Sequence, residues 1–174
     1  MKKFLEKKYN FKNKKLLITG GLGKIGFELS KIFYQEGANI IITDFISKKD
    51  YSRKMKFFKR KNKVTFFNCD LASSHDKKNL FNNIKKKFKK IDVLINNAAL
   101  TGDRFEKLET DFEKQDYKIW NKELQVNLIS VIEIIQSLKK LIIISKNASI
   151  INLSSIYGIS KPHFEIYKNS HLRN

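Results

Sequence analysis

The stretch Lys15-Leu-Leu-Ile-Thr-Gly-Gly-Leu-Gly-Lys-Ile-Gly26 sets how the rest of the chain folds. An apolar run, Leu16 to Ile18, has strand character and leads into Gly20, Gly21, Gly23 and Gly26. A helical period begins at once, with Ile25, Leu29, Ile32 and Phe33 expected on one inward face. Strand, glycine turn and helix in that order form a phosphate cradle. Glycines allow a turn that side chains would block, and backbone N–H groups at the helix start face a bound anion. Gly21, Gly23 and Gly26 carry the spacing G-x-G-x-x-G, whose last glycine lets helix and strand pack closely. An ordinary glycine-rich turn would read the same way, so the motif takes its meaning from the residues beyond Gly26.

Working outward, the first helix is expected over Lys24–Gln35, stopped by Gly37. Asn39 to Thr43 is apolar without alternation, as in a parallel strand covered on both faces. It ends at Asp44, about 20 residues past the glycine turn, where a carboxylate suits the adenosine ribose hydroxyls of a dinucleotide. The same carboxylate repels a 2′-phosphate, which favours NAD over NADP. Lys48, Lys49 and Arg53 lie close in sequence and keep NADP open, and a simple turn or capping role for Asp44 is the alternative. A basic helix from Ser47 to about Lys61 comes next, then a strand at Val64–Asn68 ending in Cys69-Asp70-Leu71. Ser73 or Ser74 is expected to cap a helix that buries Leu80, Ile84 and Phe88, with Lys85, Lys86 and Lys87 in water. A fourth strand at Ile91–Ile95 runs into Asn96-Asn97-Ala98-Ala99. Thr101 to Gln115 reads as a loop. A long helix from about Asp116 to Lys140 is expected to face Trp120, Leu124, Leu128, Ile132 and Ile135 inward. The fifth strand is Ser149–Leu153. Alternating strands and helices imply right-handed βαβ units and a parallel sheet.

Composition narrows the function classes. The 174 residues are 41% hydrophobic, enough for one domain, 1–174, with a real core. No apolar run reaches the length of a membrane span, and the N-terminus lacks a signal-peptide core. One cysteine, Cys69, excludes an internal disulfide, and no Cys/His cluster has metal-ligand spacing. A cytoplasmic, metal-free protein is expected. The net charge of +19 invites a nucleic-acid reading. Its cations are nearly all lysines spread along the chain, with arginine only at Arg53, Arg60, Arg104 and Arg173. The densest stretch, Lys54 to Lys63, reads as a solvated helix face with Phe57 and Phe58 turned inward, and the few scattered arginines and the lack of a recognition motif weigh against nucleic acid. Neither nucleic acid nor membrane is expected as a partner.

With these residues placed, the chain resembles the short-chain dehydrogenase/reductase family over nearly its whole length. Thr19-Gly20 to Gly26 resembles the family's cofactor loop, with Gly20, Gly21, Gly23, Lys24, Ile25 and Gly26 in contact with the dinucleotide. Asp70-Leu71 resembles its adenine contact, and Asn97-Ala98 the segment that runs along the cofactor. Asn127, in Val126-Asn127-Leu128, matches the catalytic asparagine that holds a water. Ser155 matches the serine that binds the substrate oxygen. The fold implied is a Rossmann-type doubly wound α/β sheet in the order 3-2-1-4-5, without the last strands of the full family fold. The reaction implied is hydride transfer between nicotinamide and an alcohol or carbonyl carbon of a small-molecule substrate.

Two features depart from that pattern. Lys24 stands where the commoner branch has glycine, so the spacing Thr-Gly-x-x-Gly-x-x-Gly resembles nucleotide-sugar epimerases and dehydratases of the family, which retain NAD. The later motifs, Ser154-Ser155-Ile-Tyr-Gly158 and Phe164-Glu-Ile-Tyr167, look most like oxidoreductases of surface-sugar or flagellin-modification pathways. The family's Tyr-x-x-x-Lys is expected on a helix well past Ser155. The formal match, Tyr157 to Lys161, comes too soon, and Gly158 and Pro162 oppose the helix it needs. Tyr167 is followed four residues later by His171 instead of lysine. A truncated or frameshifted product, impaired in catalysis, is therefore expected. Full-length members form homo-oligomers whose interface includes the missing helix, which leaves that assembly open for this chain. A non-catalytic dinucleotide-binding module is the reading from a different class.

Overall fold

The computed structural model describes residues 10–101, 113 and 115–160. Five strands, β1 (Lys15–Thr19), β2 (Asn39–Asp44), β3 (Val64–Asn68), β4 (Val93–Asn96) and β5 (Ser149–Asn152), form one parallel sheet in the order β3-β2-β1-β4-β5. The helices between them are α1 (Lys24–Gln35), α2 (Lys48–Met55), α3 (Ser74–Lys87), α4 (Tyr117–Leu124) and α5 (Ser130–Ile143). This is the doubly wound Rossmann-type sheet that the strand rhythm implies.

Strand alternation divides the core in two. Leu17, Ile41 and Leu94 point to one face, where they meet Leu80 and Ile84 of α3 and Ile134 and Leu138 of α5. Leu16, Ile18, Ile40, Ile42, Val93 and Ile95 point to the other, against Phe27, Leu29 and Phe33 of α1 and Phe58. The three central strands are buried on both faces, which is why they read as unbroken apolar runs. Each fully buried Leu or Ile contributes roughly 1.5–3 kcal/mol of transfer free energy.

Helix ends obey their signals. Gly37 has φ +84°, the Gly37 N–H donates to Tyr34 O, and the Ala38 N–H donates to Phe33 O, a Schellman stop. Ser73 caps α3 by accepting from the Asp76 N–H, and Ser47 caps α2 by accepting from the Asp50 N–H. Lys85, Lys86 and Lys87 are exposed, as expected.

Three expectations are corrected. α1 does not bury Ile25 or Ile32, which are 62% and 52% exposed. Its innermost residues are Gly26 and Ser30, because small side chains let the helix axis sit close to β1, with Ser30 Oγ donating to Gly21 O at 3.0 Å. The long helix also turns the other way. Trp120, Leu124, Leu128 and Ile132 are each about half exposed, and the buried line is Val126, Ser130, Ile134, Leu138 and Ile142, with Ile135 packed partly against the core. A π-helical segment, Gln125–Ile129, joins α4 to α5, and apolar residues on both sides gave periodicity two inward faces to choose between. Finally, α2 ends at Met55 rather than near Lys61. A tight turn, with the Phe58 N–H on Met55 O, drives Phe58 into the core at 1% exposure and leaves Phe57 at 38%.

Asp92 fastens the end of the sheet opposite the glycine turn. It is 1% exposed and accepts from the Lys15 N–H at 2.8 Å, Lys90 Nζ at 2.8 Å and Ser145 Oγ at 2.7 Å, tying together the approaches to β1, β4 and β5. On the α3/α5 face, buried Lys77 is ion-paired with Glu133.

Candidate cofactor site

At the carboxyl ends of the strands, where the chain reverses its direction of build between β1 and β4, lies a cleft of about 730 Å³. Open α/β sheets bind ligands at this switch point. Its wall includes Gly20, Gly23, Lys24, Ile25, Asp44, Asp70, Leu71, Asn97 and Ala98. Gly21 and Gly26, expected with them, lie behind the wall and shape it. A Cβ on Gly26 would stand 2.1 Å from Gly20 O and 2.6 Å from Asn97 Nδ2, and one on Gly21 would stand 2.9 Å from Ile42 Cγ2. Gly20 has φ +60° and lies against the Ala98 backbone, so no side chain fits there either.

The donors for an anion sit one step later than the glycines themselves. The Gly21 N–H is directed at Thr43 O, the Leu22 N–H at Asp44 Oδ2 and the Gly23 N–H at Gly20 O. α1 then starts at Lys24 with Gly23 as its N-cap and no side-chain cap. The first amides of a helix have no intrahelical acceptor, and they point along a dipole that favours negative charge. A phosphate fits this uncapped terminus, with Lys24 and Lys122 in the same wall.

Asp44 at the tip of β2 accepts from the Leu22 N–H and from the Phe45 N–H, both at 2.8 Å. Each carboxylate oxygen retains a second lone pair, so ribose hydroxyls can still donate to it. Asp70 holds a turn, with Oδ1 accepting from the Ala72 N–H at 2.9 Å. Asn97 braces the glycine turn: its Nδ2 donates to Thr19 O at 2.8 Å and Gly20 O at 3.1 Å. Thr19 Oγ1 in turn accepts from the Asn97 and Ala98 amides, both at 3.0 Å, a staple between β1 and β4 that motif spacing does not reveal. Phe45, Leu100, Thr101, Lys122 and Val126 also line the cleft and were not anticipated.

The two expected catalytic residues stand outside the wall of this cleft. Asn127 lies in the π-helical segment, and its amide grips one peptide neighbour: Oδ1 accepts from the Leu100 N–H at 2.7 Å and Nδ2 donates to Leu100 O at 2.8 Å. Ser155 comes just after β5, and its Oγ accepts from the Tyr157 N–H at 3.2 Å. Ile156–Gly158 is a single 3₁₀ turn rather than an α-helix. Lys161, Tyr167, His171 and most of the Thr101–Gln115 loop lie outside the described residues.

Cys69 lines the cleft but is 2% exposed. Burial, aided by the negative charge of Asp76, pushes its thiol up to about 12. Alkylation by iodoacetamide at neutral to mildly basic pH is expected to run at least about 100-fold slower in the folded chain than in urea. Equal rates in a timed mass-spectrometric assay would contradict that burial. Among the described residues no group of three or more His, Cys, Asp or Glu is gathered to hold a metal, and no helix is long and apolar enough to cross a membrane.

The chain is similar to proteins that share this plan. A 3-oxoacyl-(acyl-carrier-protein) reductase, FabG of Thermotoga maritima, is 33% identical over 144 residues, 82% of this chain and 56% of that protein. A short chain dehydrogenase/reductase of Macrophomina phaseolina, dpmpG, is 34% identical over 121 residues, 68% of this chain and 66% of that protein. The crystal structure of a Caenorhabditis elegans short-chain dehydrogenase/reductase of unknown function, solved with cofactor, superimposes with a TM-score of 0.74 at 33% identity, over 91% of this chain and 59% of that one. The fold is also that of the Pseudomonas aeruginosa RhlG/NADP complex, with a TM-score of 0.75 at 24% identity, over 88% of this chain and 60% of that one. The family model for short chain dehydrogenases matches residues 14–171. That match takes in the glycine turn and every strand of the sheet, so the chain belongs to the short chain dehydrogenase family.

Proposed function

We propose that this chain binds a nicotinamide dinucleotide in the cleft between the glycine turn, Asp44, Asp70 and Asn97, with NAD preferred over NADP, as the cofactor half of an oxidoreductase. The observation that carries the reading is the fit of Gly20, Gly26 and Asn97: two glycines with no room for a Cβ, packed beneath an uncapped helix terminus. A cradle of that shape suits the pyrophosphate of a dinucleotide. Lys24, Ile25 and Gly26 offer it their backbone amides, Asp44 takes the adenosine ribose, Asp70 and Leu71 border the adenine, and Asn97 and Ala98 run toward the nicotinamide. The bound group supplies a hydride acceptor or donor for an alcohol or carbonyl carbon.

The described residues supply binding more plainly than turnover. Ser155 has its Oγ on the Tyr157 amide, and Asn127 has both amide atoms on Leu100. Ser155 is the residue to hold a substrate oxygen, and Asn127 acts by fixing the segment after β4 that borders the cleft. The substrate class proposed is a small sugar-derived alcohol or carbonyl compound, on the likeness of Ser154-Ser155-Ile-Tyr-Gly158. A second reading, an NAD-retaining epimerase or dehydratase relative, draws on Lys24 in the glycine turn, and NAD carried through purification would favour it.

The preference for NAD is tested at Asp44. Replacing it with Ala removes a charged acceptor for the ribose, so NAD affinity is expected to fall about tenfold, while loss of the negative charge improves NADP binding relative to NAD. Calorimetric titration of both dinucleotides checks this, and an unchanged NAD/NADP ratio would sink the proposal.

A further inference from the structure

We propose that the end of the sheet opposite the cleft docks on an anionic lipid surface, through lysines that the fold gathers there and through the exposed pair Ile143 and Ile144. The proposal stands apart from the cofactor reading, because the cleft lies at the other end of the strands.

The lysines are dispersed in sequence, so sequence alone gives no reason to expect an anionic partner. A parallel sheet gathers them. Every strand starts at the same end, so the segments leading into β1, β4 and β5 meet there. The approach to β4, Lys85 to Lys90, holds five lysines in six residues. The approach to β5 brings Lys139 and Lys140 on the last turn of α5, then Lys146, and the approach to β1 brings Lys12, Lys14 and Lys15. Contacts confirm that these segments are neighbours. Lys90 Nζ and Lys14 Nζ lie 2.8 and 3.9 Å from Asp92 Oδ1, and Lys15 Nζ lies 5.9 Å from the Phe88 ring centroid. The Ile91 N–H donates to Leu141 O at 3.0 Å, which sets the end of α5 against the start of β4.

Little at this end offsets that charge. Among the described residues its carboxylates are Glu36 and Asp92, and Asp92 is buried. Lysines in a last turn do complement a helix dipole, but one or two per terminus meet that need. Lys85, Lys86, Lys87 and Lys89 are all exposed, as are Lys139, Lys140 and Lys146.

The apolar pair decides which anion fits. Ile143 and Ile144 are 66% and 63% exposed, and they stand between Lys140 and Lys146. A nucleic-acid backbone offers such side chains nothing. A bilayer of anionic lipids takes both kinds of group at once, ammonium groups at the headgroups and isoleucines at the acyl boundary just beneath. The cleft then faces away from the membrane and stays open to solvent.

The test is co-sedimentation of the purified full chain with vesicles of phosphatidylcholine, with and without phosphatidylserine. Binding is expected to be at least about tenfold tighter with phosphatidylserine and to weaken with added salt. Ile143→Ser combined with Ile144→Ser is expected to lose about tenfold on the anionic vesicles, and Lys139→Gln with Lys140→Gln a similar factor. Ile32→Ser, at a similarly exposed isoleucine on the flank of the sheet, is expected to stay within about twofold. No preference for phosphatidylserine would overturn the proposal. So would an isoleucine variant that binds as the parent does, or tighter binding to a DNA duplex than to the vesicles, since either would mark a general polyanion surface. If the isoleucine variant does not fold, hydrogen exchange of the unsubstituted chain on vesicles still decides. Protection is expected over residues 85–90 and 139–146, and protection centred on the glycine turn would refute the proposal.

Discussion

Gly26→Ala is expected to cost about 3 kcal/mol of stability or more and to abolish measurable dinucleotide binding, one added methyl group at the centre of the fold. The atoms in its way are backbone and a braced amide: Gly20 O at 2.1 Å, Asn97 Nδ2 at 2.6 Å and Gly20 C at 2.9 Å. None is the loose end of a flexible side chain. Helix α1 must lift from the turn, which breaks the pairing of Asn97 Nδ2 with Thr19 O and Gly20 O and moves the helix terminus that borders the cleft. Alanine regains roughly 1 kcal/mol of helix propensity, far short of that clash. Gly158→Ala is the matched control, because its Cβ would meet only Ser154 Oγ, at an ordinary 3.5 Å. Its stability is expected within about 0.5 kcal/mol of the parent. Urea denaturation and calorimetry measure both, and equal behaviour of the two variants would contradict the packing described.

The second large effect is at Asp92. Asp92→Ala is expected to destabilise the chain by about 3–5 kcal/mol, a large part of the 5–15 kcal/mol typical of a domain. The Lys15 amide and Ser145 hydroxyl lose a buried charged acceptor; Lys90 is 42% exposed and regains water, so it adds little. The same site predicts a pH dependence. Burial pushes the Asp92 carboxyl up, but hydrogen bonds from Lys90, the Lys15 amide and Ser145 outweigh it and hold it below the ordinary carboxylate value. Its folded-state pKa being lowered, its contribution is fully present above the unfolded value near 3.9 and is lost as pH falls through the folded value. The stability gap between parent and Asp92→Ala is therefore expected to be widest at neutral pH and to shrink in acid. A gap that stays constant down to about pH 2 would show that Asp92 is not held as a charged hub.

Much of the fold was legible because local signals and tertiary demands agree. The apolar runs of β1 and β2, the caps at Ser47 and Ser73 and the left-handed Gly37 all do in the structure what their chemistry requires. The faces of α1 and α5 were not legible. Counting large apolar residues selects Ile25, Ile32, Trp120 and Leu128, whereas the buried positions include the small residues Gly26, Ser30 and Ser130. Many of the residues that line or shape the cleft were within reach of motif spacing, because a phosphate cradle needs glycines at fixed steps. The staple from Thr19 Oγ1 to the Asn97 and Ala98 amides and the place of Lys122 in the wall were not, since they depend on strands and helices that only folding brings together. Asn127 was placed by motif, but the peptide it grips at Leu100 could be known only from the fold.

Binding of the dinucleotide in the cleft at the strand tips is the claim on which the rest depends. An amide-resolved NMR titration of the chain with NAD tests it most directly. The account predicts saturable shifts at Gly20–Gly26, Asp44, Asp70–Leu71 and Asn97–Ala98, with the Asp92 end of the sheet unmoved. Absence of saturable shifts, or shifts centred on the Asp92 end, would contradict it.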